Sequence, residues 1–367
     1  VKINIKDVTE KDFLAFNDIP VFDCHVHAEK TEGIAVLEDV WQRYRIDRMN
    51  ILATSSYSEE RVANNAICLL FKLRHPGKAF GFGSLIYPPT GTPTDAQDLL
   101  GQAQWLMSLG FDGMKMLDGK PDNRKRIGIP LDAPVYDLYF DYLEENQLPL
   151  LYHIGDPAIF WDKENCPQYV KDLKWAYLDD SFVSKDGLYR EVDGILEKHP
   201  DLKVIFAHFY FMDDESIERA SAVLDRWPNV AFDVTPGLLF KSFGLDLEGW
   251  RAFFIKYQDR ILFGTDNDYG ISKELIYAIR TMLETDNEIE FWDTHLHGWK
   301  LDRPVLEKIY GANFRRYAGA DPKQVEPAQV IEECHRIIRR AQNSPMKDAL
   351  LKDVQDVQDE LERMGVQ

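Results

Sequence analysis

Five residues able to donate an electron pair to a metal stand at the ends of short apolar runs. His25 and His27 close PVFDCHVH, His153 closes LPLLYH, His208 closes VIFAH, and Asp266 closes RILFGTD. Side chains two apart on a strand point the same way, so His25 and His27 can reach one ion together. Imidazole and carboxylate suit a borderline divalent ion, zinc above all, with manganese or another divalent ion as alternatives. Such an ion lowers the pKa of bound water towards neutrality and polarises a substrate oxygen. Asp266, touching metal or water, can take the proton and pass it to a leaving group. Each histidine alone is more simply a rim residue with a hydrogen bond. Their common position at run ends is what points to a metal.

That position makes demands on the elements beneath. The runs are residues 20–27, 49–56, 78–87, 111–117, 148–154, 202–209, 229–235 and 260–266. Most are continuously apolar, which suits strands covered by helices. Amphipathic stretches lie between them, among them 132–146, 185–199, 216–227 and 246–258. Two of these end before a proline, in EKHPDLK and DRWPNV, where the ring stops the helix. Eight strand–helix units predict an α/β (β/α)8 TIM barrel, whose carboxyl rim gathers strand ends from distant sequence. A doubly wound sheet would carry a glycine-rich loop after its first strand, and CHVHAEKTEG stands there instead. The barrel is expected over 1–320, with 321–367 a helical extension of two charged helices and not an independent domain. The connections after the fifth and eighth runs, 156–184 and 284–300, are long, and the first is expected to be a lid over the mouth.

Other residues near that rim are candidates for binding. Arg124, Lys125 and Arg126 follow the fourth run and offer an anion clamp, or simply a solvated charge run. Trp161, Tyr177 and Trp292 in the long connections can wall a pocket. Asp156, Asp233 and Asp268 can orient ligands or cap helices. His295 and His297 sit in a polar excursion and read as substrate-loop or surface residues, while His75, His199 and His335 fall on or beside helices and receive structural readings.

Composition bounds the partners. The 367 residues carry a formal charge of −19, with 45% hydrophobic and 12% aromatic residues, which argues against disorder and against binding nucleic acid or an anionic membrane. Four scattered cysteines form no disulfide scaffold, and the first residues, VKINIKDVTEKDF, are polar; a cytoplasmic protein is the expectation. No stretch approaches the roughly 18 apolar residues of a membrane span.

The order of these pieces resembles the amidohydrolase superfamily, in particular its amidohydrolase-2 branch of hydrolases and decarboxylases. The likeness runs from D-x-H-x-H at Asp23–His27 through GMKML, His153, AH at His208 and G-T-D at Asp266 to G-x-N-x-x-R at Gly311–Arg316, covering about 20–317. It implies that His25, His27, His153 and Asp266 hold one ion and that His208 is a second-site or substrate-orienting histidine. Lys115 in GMKML matches a position where binuclear relatives carry a bridging carboxylated lysine; here an ammonium that binds a substrate carboxylate, or pairs with Asp118, is the plainer reading. The expected activity is hydrolysis of a small carboxylated lactone, ester or amide by metal-bound hydroxide, with Asp266 moving the proton and His208 helping the ion stabilise the oxyanion. Non-oxidative decarboxylation of a small aromatic or unsaturated acid is the alternative, and a non-catalytic binding barrel the alternative from another class. A homodimer or larger homo-oligomer is expected.

Overall fold

Continuous apolar segments rich in branched and aromatic residues are buried on both faces, and such segments pair in parallel. The structure, a computed structural model, describes residues 2–4, 18–88, 92–212, 216–236, 239–267, 273–291, 294–342, 344 and 346–366. Eight of its strands pair side by side in chain order, each parallel to the next: β2 (Val21–Val26), β3 (Ile46–Leu52), β4 (Ala79–Ser84), β5 (Gly113–Gly119), β6 (Leu150–Ile154), β7 (Val204–Phe206), β8 (Val230–Asp233) and β9 (Ile261–Leu262). The ring closes between its first and last members, where Cys24 N donates to Phe263 O at 3.0 Å and Asp266 N to His25 O at 2.8 Å. This is the expected (β/α)8 barrel.

Two apolar layers hold it. Phe22, Cys24, Phe80, Phe82, Leu151 and Ile205 fill the interior. Phe314, from the last barrel helix, plugs them from below and stacks on Phe22 at 4.3 Å. The second layer lies between strands and helices. Side-chain caps start several of the helices. Ser184 accepts from Gly187 N and Ser216 from Arg219 N, each satisfying an otherwise unpaired donor. The helices Lys185–Lys198 and Ile217–Arg226 end within a residue or two of Pro200 and Pro228. The last barrel helix is broken by a π turn at Lys308–Ala312.

A small second sheet joins β1 (Lys2–Asn4) in parallel to β10 (Glu288–Phe291), which pairs antiparallel with β11 (Thr294–His297). The connection 284–300 thus forms a hairpin. The helices Pro327–Ala341 and Lys347–Arg363 pack on the barrel helices Asn64–Arg74 and Ala96–Ser108 through polar pairs. Trp105 Nε1 donates to Glu333 at 2.7 Å and Arg74 meets Glu360 at 3.4 Å, while Lys30, at the start of the helix Thr31–Arg43, meets Asp353 at 2.6 Å. Among the described residues, no helix is long and apolar enough to cross a membrane.

Candidate metal centre

The site begins with a flaw in β2. Its register against β3 shifts between Asp23 and Val26. Phe22 and Cys24 point into the barrel while Val21 and Val26 pack outward, so the alternation changes phase between them. A bulge re-aims side chains in this way. It brings His25 into the mouth together with His27. Asp23, fully buried, staples the turn: its carboxylate accepts from His25 N at 3.2 Å, Thr265 N at 3.1 Å and Thr265 Oγ1 at 2.5 Å. Burial lifts its carboxyl to about 7. Gly264 must be glycine here, because a Cβ would stand 2.8 Å from Thr235 Cγ2 and 3.1 Å from His25 Cβ. Asp266 itself takes φ 56°, a left-handed conformation that Asp tolerates better than most residues other than glycine.

Three ligand atoms converge. His25 Nε2 and His27 Nε2 are 3.0 Å apart, and Asp266 Oδ1 lies 3.3 and 3.2 Å from them. The other ring nitrogens settle the protons. His27 Nδ1 is 3.0 Å from the Leu52 carbonyl, which can only accept. His25 Nδ1 is 2.8 Å from Asp233 Oδ2. With protons on both Nδ1 atoms, the neutral rings present two bare lone pairs to each other and to a carboxylate. Three acceptors without a donor repel unless a cation sits among them. Ligands of a tetrahedral ion with bonds of about 2.0–2.1 Å stand about 3.3–3.4 Å apart, close to this triangle. The residues therefore fit a divalent ion.

Electrostatics agree for His27 and Asp266, while His25 is drawn towards its protonated form. Burial pushes His27 down to about 4, so its lone pair is free at neutral pH. Burial alone would raise Asp266, but the hydrogen-bonding contacts of His25 and His27 and the charge of His25 and His208 hold it well below the usual carboxylate range. Burial and Lys115 oppose charge on His25, and Asp233 and Asp266 overcome them to raise it.

His208 and His153 stand beside the triangle. The His208 ring is 5.4 Å from that of His25, and the His153 ring 4.8 Å from that of His208. Burial pushes His208 to about 3 and His153 to about 4. His208 Nδ1 faces the Pro236 carbonyl at 2.9 Å and so carries the proton. Its Nε2 is then an acceptor, able to orient a substrate donor or touch an ion but not to donate to an oxyanion. His153 Nε2 turns to the Gly155 carbonyl at 3.0 Å. The tight group therefore contains three of the four expected ligands, with His153 one ring further out.

After β7 the chain makes a left-handed turn that the sequence did not announce. His208, Phe209, Tyr210 and Phe211 have φ of 54°, 57°, 58° and 49°, at a cost of about 1–2 kcal/mol for each L residue. Tertiary contacts hold it. Lys185 Nζ donates to Phe211 O and the Tyr189 hydroxyl to Tyr210 O, both at 3.0 Å. Phe211 stacks on His208 with centroids 5.2 Å apart and reaches His153 at 5.5 Å.

The expected substrate residues divide. Lys115 is buried beneath the site and its Nζ has no hydrogen-bond partner, Asp118 included. Burial lowers it to about 8 against the attraction of Asp233 and Asp266. Arg124 forms a two-pronged bond with Glu191 at 2.9 and 3.0 Å. Arg126 donates to the Ser56 carbonyl and Asn123. Both guanidinium groups are thus committed to the protein. Tyr177 donates its phenol to Asp156, and Trp161 Nε1 donates to Val183 O at 3.1 Å, within a small apolar cluster of the 156–184 connection. That connection packs at the carboxyl ends of the strands, where Lys120 bonds Asp156 at 2.9 Å and lies 5.0 Å from the Trp175 ring. Trp292 and Asp268 lie outside the described residues. His295 is exposed and meets Glu290 at 3.2 Å on the hairpin. Sequence reasoning passed over Lys120, Thr235 and Phe211; Lys120, just past a strand end, and Thr235, closing the run 229–235, carried a positional signal.

A family model described as amidohydrolase, Amidohydro_2, matches residues 22–319. No curated protein matches the chain. Similar solved structures include an amidohydrolase II with 15% identity and TM-score 0.55, covering 82% of this chain and 100% of that one. Another is 4-oxalomesaconate hydratase from Rhodopseudomonas palustris, with 15% identity, TM-score 0.52 and coverage of 81% and 95%. A third is 2,6-dihydroxybenzoate decarboxylase with its substrate, with 13% identity, TM-score 0.52 and coverage of 83% and 100%.

Proposed function

Because the chain belongs to the amidohydrolase family, we propose that it is a metal-dependent enzyme of small carboxylated substrates, and that it hydrolyses a lactone, ester or amide. The observation that carries this reading is the convergence of His25 Nε2, His27 Nε2 and Asp266 Oδ1 within 3.0–3.3 Å of one another, while Asp233 and the Leu52 carbonyl face the two Nδ1 atoms. His25, His27 and Asp266 would hold the ion, zinc first, with His153 or His208 completing the set. When bound, a divalent ion supplies Lewis acidity to water and to a substrate oxygen. The chain supplies the rest. Asp266, ionised and 35% exposed, accepts a proton from the attacking water and returns it to the leaving group. His208 Nε2 accepts from a substrate hydroxyl or amide. Lys115 brings positive charge to a substrate carboxylate or a developing oxyanion.

A second reading, decarboxylation, has Lys115 in its favour: at about 8 it holds a proton at neutral pH and could deliver it to carbon. The test is a panel of lactones, N-acyl compounds and hydroxybenzoates incubated with enzyme loaded with zinc or manganese, following acid release and CO2 separately. Acid release without CO2 is the expected result. CO2 release would overturn it for the second reading, and no turnover with a full complement of metal would favour a binding barrel. On the active substrate, Asp266→Asn should lower kcat/KM by about 10²-fold or more, with metal content measured on the same sample to separate proton transfer from ligand loss.

A further inference from the structure

A second cluster lies at the other end of the barrel. The helix Asp137–Glu145 leads into the amino end of β6, and His199 caps the helix that leads into the amino end of β7. His199 is only 3% exposed, yet neither ring nitrogen has a hydrogen-bond partner. Its Nδ1 lies 3.3 Å from Asp141 Oδ1 and 3.7 Å from Glu144 Oε2. The Asp141 oxygen is within reach but lacks the alignment of a hydrogen-bond acceptor, and the Glu144 oxygen lies beyond hydrogen-bond distance. An oxygen off the N–H axis at such a distance is where a second ligand of a shared ion sits, because ligands on a tetrahedral ion stand about 3.3 Å apart.

The surroundings complete the case. Asp141 and Glu144, three apart, share one helix face. The three ligand atoms lie within 4.8 Å of one another. Glu144 is fixed through its other oxygen, which accepts from Asp201 N at 2.7 Å, as outer partners orient metal-binding carboxylates. Asp141 is 52% exposed and opens a path from solvent. The nearby Lys198 ammonium is turned away to the Asp132 carbonyl and Asp137, leaving two carboxylates to balance a divalent charge.

We propose that Asp141, Glu144 and His199 form a second divalent-metal site, of zinc-like preference, that ties two neighbouring barrel helices together on the amino-terminal face. It rests on none of the chemistry at the mouth. The test is titration of metal-stripped full-length protein with zinc at stoichiometric concentrations, in competition with a chromophoric chelator. Wild type should take up one equivalent more than Asp141→Asn or His199→Gln, and His27→Ala should keep that equivalent. In a His27→Ala background, zinc should raise Tm, and adding Asp141→Asn should abolish the rise. Asp141 is exposed, so Asp141→Asn serves as the variant that folds if His199→Gln does not. Equal zinc uptake by wild type and Asp141→Asn, or no zinc-dependent rise in Tm for His27→Ala, would overturn the proposal.

Discussion

At the scale of single residues, the site depends on which nitrogen carries a proton. Asp233 sets this for His25, and its other oxygen takes His208 N at 2.8 Å and Thr235 Oγ1 at 2.6 Å. Asp233→Asn can keep those acceptor bonds but would set an amide against Nδ1, favouring a proton on Nε2. Metal affinity should then fall about 10–100-fold, read by chelator competition, with the fold retained. The sequence offered Asp233 as a possible orienting carboxylate; the tautomer logic needed the Leu52 carbonyl, which no side-chain pattern reveals. A second residue offers a pH test. Burial lifts Asp118 from its ordinary 3.8 to about 6, partly opposed by the Tyr87 hydroxyl and Arg126. The folded state then binds the proton more tightly than the unfolded state, so stability falls as pH rises through about 4 to 6. The loss is complete above that window and absent below it. Roughly two units correspond to about 2–3 kcal/mol. Between pH 4 and pH 7, Asp118→Asn should gain that much relative to wild type in urea denaturation; a difference independent of pH would remove the buried charge from the account.

Elements place those residues, and here the sequence was readable in some stretches and silent in others. The apolar runs located all eight barrel strands, because strands covered on both faces need continuous apolar sequence. The runs marked where His25, His153, His208 and Asp266 would emerge. They did not show the β2 bulge, since a phase change of one residue leaves composition untouched. Nor did they show that the run 202–209 gives strand only to Phe206. The left-handed turn beyond it is made of aromatic residues whose own preference is against it, so tertiary contacts must impose it. Lys185 and Tyr189 supply them from the helix that leads into β7. Lys185→Met should strand the Phe211 carbonyl, lowering stability by about 1–3 kcal/mol. Because Phe211 stacks on His208, kcat should fall more than KM rises. A variant with lowered Tm but unchanged kcat and KM would show the turn to be structural alone.

On the scale of the whole molecule, the question is whether residues beyond the family match fold with the barrel. The sequence reads as two charged helices after 321, but their partners depend on where charges fall in three dimensions. The joint is built around Glu333, whose side chain is fully buried, accepting from Trp105 Nε1 at 2.7 Å and from Arg336 at 3.0 and 3.2 Å. Arg336 also reaches Gln102 at 3.0 Å, and Arg340 meets Asp98 at 3.1 Å. Cys334, Ile337, Val354 and Val357 lie in the same apolar cluster as the barrel helices. An arrangement so interlocked should unfold as one unit. Removing one partner of a buried ion pair leaves the other uncompensated, which typically costs about 3–5 kcal/mol. Glu333→Ala should therefore move the urea midpoint of the entire protein, with far-UV circular dichroism and loss of activity remaining superimposed. Activity of the folded fraction should stay at the wild-type value, because Trp105, Gln102 and Arg336 belong to the outer helices and none touches the metal ligands. If circular dichroism split into two transitions, with activity following only an unshifted one, the extension would be a separate folding unit and the barrel stable without it.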